Sequence, residues 1–241
     1  MFLSRIPVNV MSRTFRRDHA DVHEMHRTLM SAFAEVTDGK AAARRHNGLL
    51  WRLEGDGRVR VLLVQSRERP DWTRLPEGYA ASRVQVKCLQ PVLAAIRPGR
   101  RLAFRLVANP TRSTPPVGDE PGNRKRGKRE PIHEPEQQIE WLIRQGERHG
   151  FAVPAAPDGA PEVVASSTPS RIGRRLDDRP DARPDARLKI SVLPVAYDGR
   201  LIVTDPDAFT AALKEGLGRA KAYGCGLLSL APDRHPARQS G

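Results

Sequence analysis

His23 and His26 stand three residues apart within Asp21-Val-His-Glu-Met-His-Arg-Thr-Leu29, a stretch with helical spacing. Asp21 followed by Glu24 has the form of a capping box, so a helix is expected to start at Val22. Val22, Met25, Leu29, Ala32 or Phe33, and Val36 then recur on one face and should point into a core. The two imidazoles fall on a neighbouring face, where the positive helix end meets open solvent. Three readings fit the pair. Two imidazoles one turn apart can ligate a metal, although no third ligand is evident and the H-E-x-x-H order is missing. Boundary histidines without a task are the plain alternative. The third is acid–base chemistry, because imidazole exchanges protons near neutral pH.

A second constellation lies near the C-terminus. Gly216-Leu-Gly218-Arg219-Ala-Lys221-Ala-Tyr-Gly224-Cys-Gly226 holds four glycines around two cations, and the apolar run Leu227 to Ala231 follows. Glycine accepts positive φ and lets backbone N–H groups approach phosphate oxygens, while Arg219 and Lys221 supply charge. Such a loop suits a polyanion. A helix-like segment, Asp207 to Glu215, precedes it and a strand leaves it, the reverse of the dinucleotide-binding order. The competing reading is a helix-to-strand connection whose glycines only make turns.

These residues need a scaffold, and 241 residues suffice for two domains of about 100 each. A formal charge of +13 favours a phosphate-rich partner, nucleic acid before membrane. Cys88 and Cys225 are too few for a disulfide framework, which fits a reducing cytoplasm, and no apolar run reaches the length of a membrane span. Met1 to Val10 alternates as a strand, and Arg13 to Arg17 reads as a basic connection to the histidine helix. Leu49 to Glu54 and Val59 to Ser66 form a hairpin about Gly55-Asp-Gly57. Pro70-Asp-Trp72 is a turn with Trp72 packing, and Ser82 to Cys88 is a further strand. With a short helical piece these make a ferredoxin-like β-α-β-β-α-β unit, the RRM-like topology, in residues 1–96.

Residues 97–232 repeat the pattern. Arg101 to Val107 is a strand, and residues 111–131, with the burst Arg124-Lys125-Arg126-Gly-Lys128-Arg129 of five cations in six positions, read as a solvated loop or one that orders on a nucleic-acid backbone. Glu134 to His149 is a helix with Ile139, Leu142 and Ile143 on its stripe and Trp141 beside it. Phe151 to Val153 is an edge strand. Glu162 to Ile172 and Arg187 to Ala196 bracket a polar repeat, residues 178–187, that reads as a hairpin tip. Leu201 to Thr204, the helix from Asp207, the glycine loop and the last strand complete an α+β chain of tandem ferredoxin-like domains. Residues 233–241 form a polar tail.

The string G-x-G-x-A-K-x-x-G-x-G-L-L-S-x-A-P resembles the C-terminal signature of the CasE (Cse3) family, the CRISPR repeat-processing endoribonucleases of type I-E systems. Leu50-Trp-Arg-Leu-Glu54, Val61-Leu-Leu-Val-Gln65 and Glu136-Gln-Gln-Ile-Glu-Trp-Leu-Ile-Arg144 resemble it as well. His23-Glu-Met-His26 is similar to its Y-x-x-H helix, with His26 at the catalytic histidine and His23 in place of the tyrosine. The resemblance implies a metal-independent endoribonuclease, without cofactor, that cuts CRISPR precursor RNA at the 3′ base of the repeat stem-loop. The ribose 2′-OH would attack the scissile phosphate, leaving a 2′,3′-cyclic phosphate upstream and a 5′-OH downstream. His26 would be the general acid or base and His23 an assistant. Contacts to the RNA are expected from Arg27, Arg112, Arg126, Lys128, Arg129, Arg171, Arg174, Arg175, Gly218, Arg219, Lys221, Gly224 and Gly226. Free, the protein would be a monomer in the cytoplasm with no membrane partner. After cleavage it would keep its RNA and join the type I-E surveillance complex, Cascade. A non-catalytic repeat-RNA-binding scaffold is the rival, argued by the residue at position 23, and a DNA-binding regulator is weaker because no helix-turn-helix pattern stands out.

Overall fold

The computed structural model describes residues 1–34, 48–114, 128–177, 183 and 186–233. Val36, Arg126 and most of the 178–187 repeat lie outside them.

The first sheet joins β1 (Phe2–Val8), β2 (Leu50–Glu54), β3 (Arg60–Ser66) and β4 (Gln85–Cys88) in the order β2-β3-β1-β4, all antiparallel. Ser4, Ile6 and Val8 alternate onto its buried face. Between β1 and β2 run α1 (Arg13–Ala20) and α2 (Val22–Met30). The expected basic connection at Arg13 to Arg17 is therefore helix. Ser12 caps it, Phe15 and Asp18 turn inward, and the arginines decorate the opposite side. Asp18 is fully buried, pairs with Arg17 at 2.7 Å and accepts from the Tyr79 hydroxyl at 3.1 Å. The short helical piece before β4 is one 3₁₀ turn, Trp72–Arg74, and Trp72 Nε1 donates to Ser4 Oγ at 2.8 Å. After β4 comes α3 (Gln90–Ala94), and Leu93 and Ile96 pack on the second core, not the first.

That second core lies under β5 (Arg101–Ala108), β8 (Phe151–Ala152), β9 (Val163–Ser167), β12 (Val195–Val203) and β13 (Leu228–Pro232). Their order is β13-β5-β12-β8, with β9 also paired to β12. Helices α4 (Pro135–Arg148) and α5 (Pro206–Glu215) complete the second β-α-β-β-α-β pattern. The chain is thus a tandem of ferredoxin-like units. Two hairpins are inserted into the second unit: β6 (Thr111–Thr114) with β7 (Lys128–Pro131), and β10 (Arg171–Leu176) with β11 (Arg187–Val192). The two segments that bracket the repeat, Glu162 to Ile172 and Arg187 to Ala196, are each divided at a proline, Pro169 and Pro194, which cannot donate to a ladder. On α4 the buried set is Gln138, Trp141, Leu142 and Gly146, with Ile139 and Ile143 only half-buried. Gln138 turns inward because its amide donates to the Ile132 and His133 carbonyls at 3.0 and 3.1 Å.

A buried arginine joins the two units. Arg52 on β2 donates to the carbonyls of Arg105 (3.2 Å) and Leu227 (2.9 Å) and to Ser229 Oγ (2.9 Å), with Glu54 at 2.6 Å as counter-ion. Gln65 adds a bond to the Leu213 carbonyl at 2.7 Å. Among the described residues, no helix is long and apolar enough to cross a membrane.

Candidate functional site

Asp21 caps α2 by accepting from the His23 N–H at 2.9 Å. The reciprocal half of the expected box does not form, since the Asp21 N–H already donates to the Arg17 carbonyl at the end of α1. Glu24 instead binds Arg27 at 2.9 Å and approaches Arg17 at 3.9 Å. The Asp21 carboxylate also accepts from the Arg174 N–H, with both oxygens at 3.2 Å. One side chain thereby fixes the start of α2 and docks β10 against it. Gly173 makes that approach possible: a Cβ there would stand 3.1 Å from Val22 Cγ2.

His26 is only 6 % exposed, so it does not face open solvent as its place near the helix start suggested. The cover comes from the glycine loop, whose turn Lys221–Tyr223 packs on α2. The ring borders a cleft of about 430 Å³ shared with Arg67, Lys214, Glu215 and Lys221. Arg67 and Glu215 form a close ion pair there. Lys214 is exposed and Lys221 half-buried. Burial pulls the Lys221 ammonium below the usual lysine range, opposed in part by the charge of Glu215. His23 is half-buried, its ring 6.5 Å from that of Tyr223. Among the described residues, no three His, Cys, Asp or Glu side chains converge as a metal site would require.

The glycine loop is shaped by what it packs against. Gly224 has φ +77°, and a Cβ on it would lie 2.3 Å from Arg171 Nη1 and 2.7 Å from the Trp51 ring. Trp51 Nε1 donates to the Ala222 carbonyl at 3.1 Å and so holds the turn from below. Arg171 Nη1 donates to the carbonyls of Tyr223 (2.9 Å) and Gly224 (2.7 Å), and its guanidinium lies 5.9 Å over Trp51. Burial lowers its pKa, as it does for a cation held among carbonyls rather than in solvent. Arg171 thus latches β10 to the loop through its hydrogen bonds, and Gly224 and Gly226 are buried within it. Gly218 abuts Trp141, at 3.1 Å from an added Cβ.

Lys221 borders a second cleft as well. This one, about 440 Å³, is lined by Arg112, Arg129, Arg144, Arg148, His149 and Arg219, with no carboxylate among its lining residues. Arg112, Arg129, Gly218, Arg219 and Lys221 were expected from sequence, and the structure brings them together. Arg144, Arg148 and His149 were missed. Their signal was a basic i, i+4 pair at the end of α4, on the face opposite the apolar stripe. Burial first, then the charges of Lys221 and Arg148, lower the pKa of His149, so the cleft favours an anion over a further proton.

Arg174 and Arg175 stand exposed on β10, Arg174 opposite Lys189 of β11. Arg27 is exposed and paired with Glu24. Lys128 is described only in its backbone, in β7. A further cleft, about 680 Å³ on another side of the inter-unit seam, mixes cations with Glu54, Asp56 and Asp198 and does not include His26.

The family model described as CRISPR associated protein matches residues 1–232. The chain is 36 % identical over 234 residues to the CRISPR-associated endoribonuclease Cse3 of Thermus thermophilus, covering 96 % of this chain and 100 % of that one. A solved structure of the CRISPR endoribonuclease Cse3 bound to 19 nt RNA is similar at 37 % identity and a TM-score of 0.77, covering 96 % and 100 % of the two chains. A chain of a CRISPR RNA-guided surveillance complex, pre-nicking, is similar at 27 % identity and a TM-score of 0.63, with the same coverage. With residues 1–232 matched by that model, the chain belongs to the CRISPR associated protein family.

Proposed function

We propose that this protein is the endoribonuclease that cleaves CRISPR repeat RNA at the 3′ base of its stem-loop, with His26 as general acid or base. One observation carries the reading: the imidazole shares a cleft with Lys221, and Lys221 also lines a cleft of six further cationic or imidazole side chains without a carboxylate. A folded RNA offers what such a surface binds, a spine of phosphates, and A-form helices are recognised by shape and backbone more than by base edges. Arg174 and Arg175 on the docked hairpin, with Arg112, Arg129, Arg219 and Arg27, hold the stem and its flank. His26 then meets the strand at the foot of the stem.

The ribose 2′-OH attacks the adjacent phosphorus, and the P–O5′ bond breaks. The upstream product ends in a 2′,3′-cyclic phosphate and the downstream product begins with a 5′-OH. One proton leaves the 2′ oxygen and one reaches the 5′ oxygen, and no metal is required for either transfer. A proton carrier placed within hydrogen-bond reach contributes about 10²- to 10⁴-fold in rate. Retention of the product would make the protein a subunit of the type I-E surveillance complex, a reading supported by its likeness to a chain of such a complex.

The test is a repeat hairpin incubated in EDTA, with ribose or 2′-deoxyribose at the cut site. The ribose substrate should be cut and the deoxy substrate bound but left whole. Cleavage of the deoxy RNA, or its dependence on added metal, would overturn the mechanism. His23 in the tyrosine position favours a second reading, a scaffold that binds without cutting, for which neither RNA would yield product.

A further inference from the structure

Among the described cations that line the His26 cleft, Lys221 stands apart. Arg67 is engaged by Glu215, and Lys214 stands in solvent on the last turn of α5. Lys221 is half-buried, begins the turn that packs on α2, and is the one described residue that lines both the His26 cleft and the basic cleft. None of the described carboxylates forms an ion pair with it. Its backbone is set with care: Ala220, just before it, has φ +60°, the sole non-glycine at positive φ among the described residues. Its stem lies along Gly226, where an added Cβ would stand 3.3 Å from Lys221 Cγ.

Transfer of a phosphodiester to its own 2′-OH places a further negative charge on the non-bridging oxygens as the fifth bond forms. An imidazole that moves a proton changes its own charge during the reaction and so is not a fixed cation. A half-buried lysine lining the same cleft is, and partial burial raises its attraction for developing charge above what it would be in bulk solvent. Building on the ribonuclease reading above, we infer that Lys221 is a catalytic residue, whose ammonium donates to a non-bridging oxygen of the scissile phosphate and stabilises the pentacoordinate state. It neither gains nor loses a proton: the 2′-O–P bond forms, the P–O5′ bond breaks, and both proton transfers belong to other groups. The half-burial that lowers its pKa also makes the arriving phosphate its natural counter-ion. This role differs from that of a stem anchor, which would hold ground state and transition state equally.

The experiment separates the two. Lys221→Met keeps the stem that packs on Gly226 and removes the charge, and Lys221→Arg restores a charge of different shape. Rate is measured in single turnover at saturating enzyme, affinity separately with the uncleavable 2′-deoxy hairpin. The expected result is a fall in bound-state rate of about 10²- to 10³-fold for Lys221→Met, a loss of affinity below about tenfold, and partial recovery for Lys221→Arg. Wild type should also discriminate between the two phosphorothioate diastereomers at the cut site, and Lys221→Met should lose that preference, which a packing defect would not cause. A bound-state rate within about threefold of wild type, with weakened binding, would overturn the inference and make Lys221 an anchor. If wild type itself bound the ribose hairpin without cutting it, the ribonuclease reading would fall and this one with it.

Discussion

Replacing Gly224 by alanine tests whether the glycine loop is shaped by protein packing. At φ +77° a side chain costs about 1–2 kcal/mol from its own backbone. The new Cβ also lies 2.3 Å from Arg171 Nη1 and 2.7 Å from Trp51, where neither partner can yield freely. Arg171 is held by two carbonyls, and Trp51 is 2 % exposed with its Nε1 bonded to Ala222. Overpacking of this kind costs about 1–3 kcal/mol, so the substitution should destabilise the fold by roughly 2–5 kcal/mol in all. For a chain of 241 residues, unfolding entropy near 2.1 cal/mol/K per residue amounts to roughly 0.5 kcal/mol per kelvin. The melting midpoint should therefore drop by about 4–10 °C. Because the same turn carries Lys221, the bound-state cleavage rate should fall as well. Thermal unfolding followed by circular dichroism and a single-turnover gel assay measure the two effects. A midpoint within about 1 °C of wild type together with unchanged cleavage would refute the packing account and return Gly224 to the role of backbone donor.

Arg52→Ala should loosen the seam between the two units, because Glu54 loses its close partner, keeping only Arg105 at 4.0 Å, and three acceptors lose a buried donor. Losses of this type run to about 3–5 kcal/mol, readable as a lower urea midpoint, and an unchanged midpoint would contradict the seam. Cys88 is exposed, whereas burial pushes the Cys225 thiol up to about 11. Its thiolate is scarce near neutral pH and grows only as pH approaches that value, so a maleimide should modify one thiol in the native protein and two after unfolding. Two rapid modifications of the native protein would count against the burial of the loop. In the basic cleft, Arg144→Ala with Arg148→Ala should reduce the slope of log K against log salt by about 0.7–0.9 for each phosphate contact removed. A slope equal to wild type would place the RNA elsewhere.

What the sequence made legible was what depends on neighbours in the chain. The cap at Asp21, the face Val22–Met25–Leu29 and the β2–β3 hairpin about Gly55 and Gly57 follow from local spacing. The helix at Arg13–Ala20 was hidden because only Phe15 and Asp18 face inward, and a buried aspartate carries no apolar signal. The exposure of His26 was misjudged for a non-local reason: the turn that covers it lies some two hundred positions along the chain. The latch made by Arg171 was hidden in the same way, since its acceptors belong to the glycine loop, which no periodicity connects to β10. Charge spacing likewise marked Arg219 and Lys221 but not the cleft they share with Arg144, Arg148 and His149, which exists only once α4 is docked.

The central claim is that the His26 imidazole moves a proton during strand cleavage. Its most direct test is His26→Ala assayed against a repeat hairpin in EDTA, with enzyme in excess. The bound-state rate should fall by about 10²- to 10⁴-fold, while affinity for the 2′-deoxy hairpin changes by less than about threefold. Cleavage at the wild-type rate would contradict the claim.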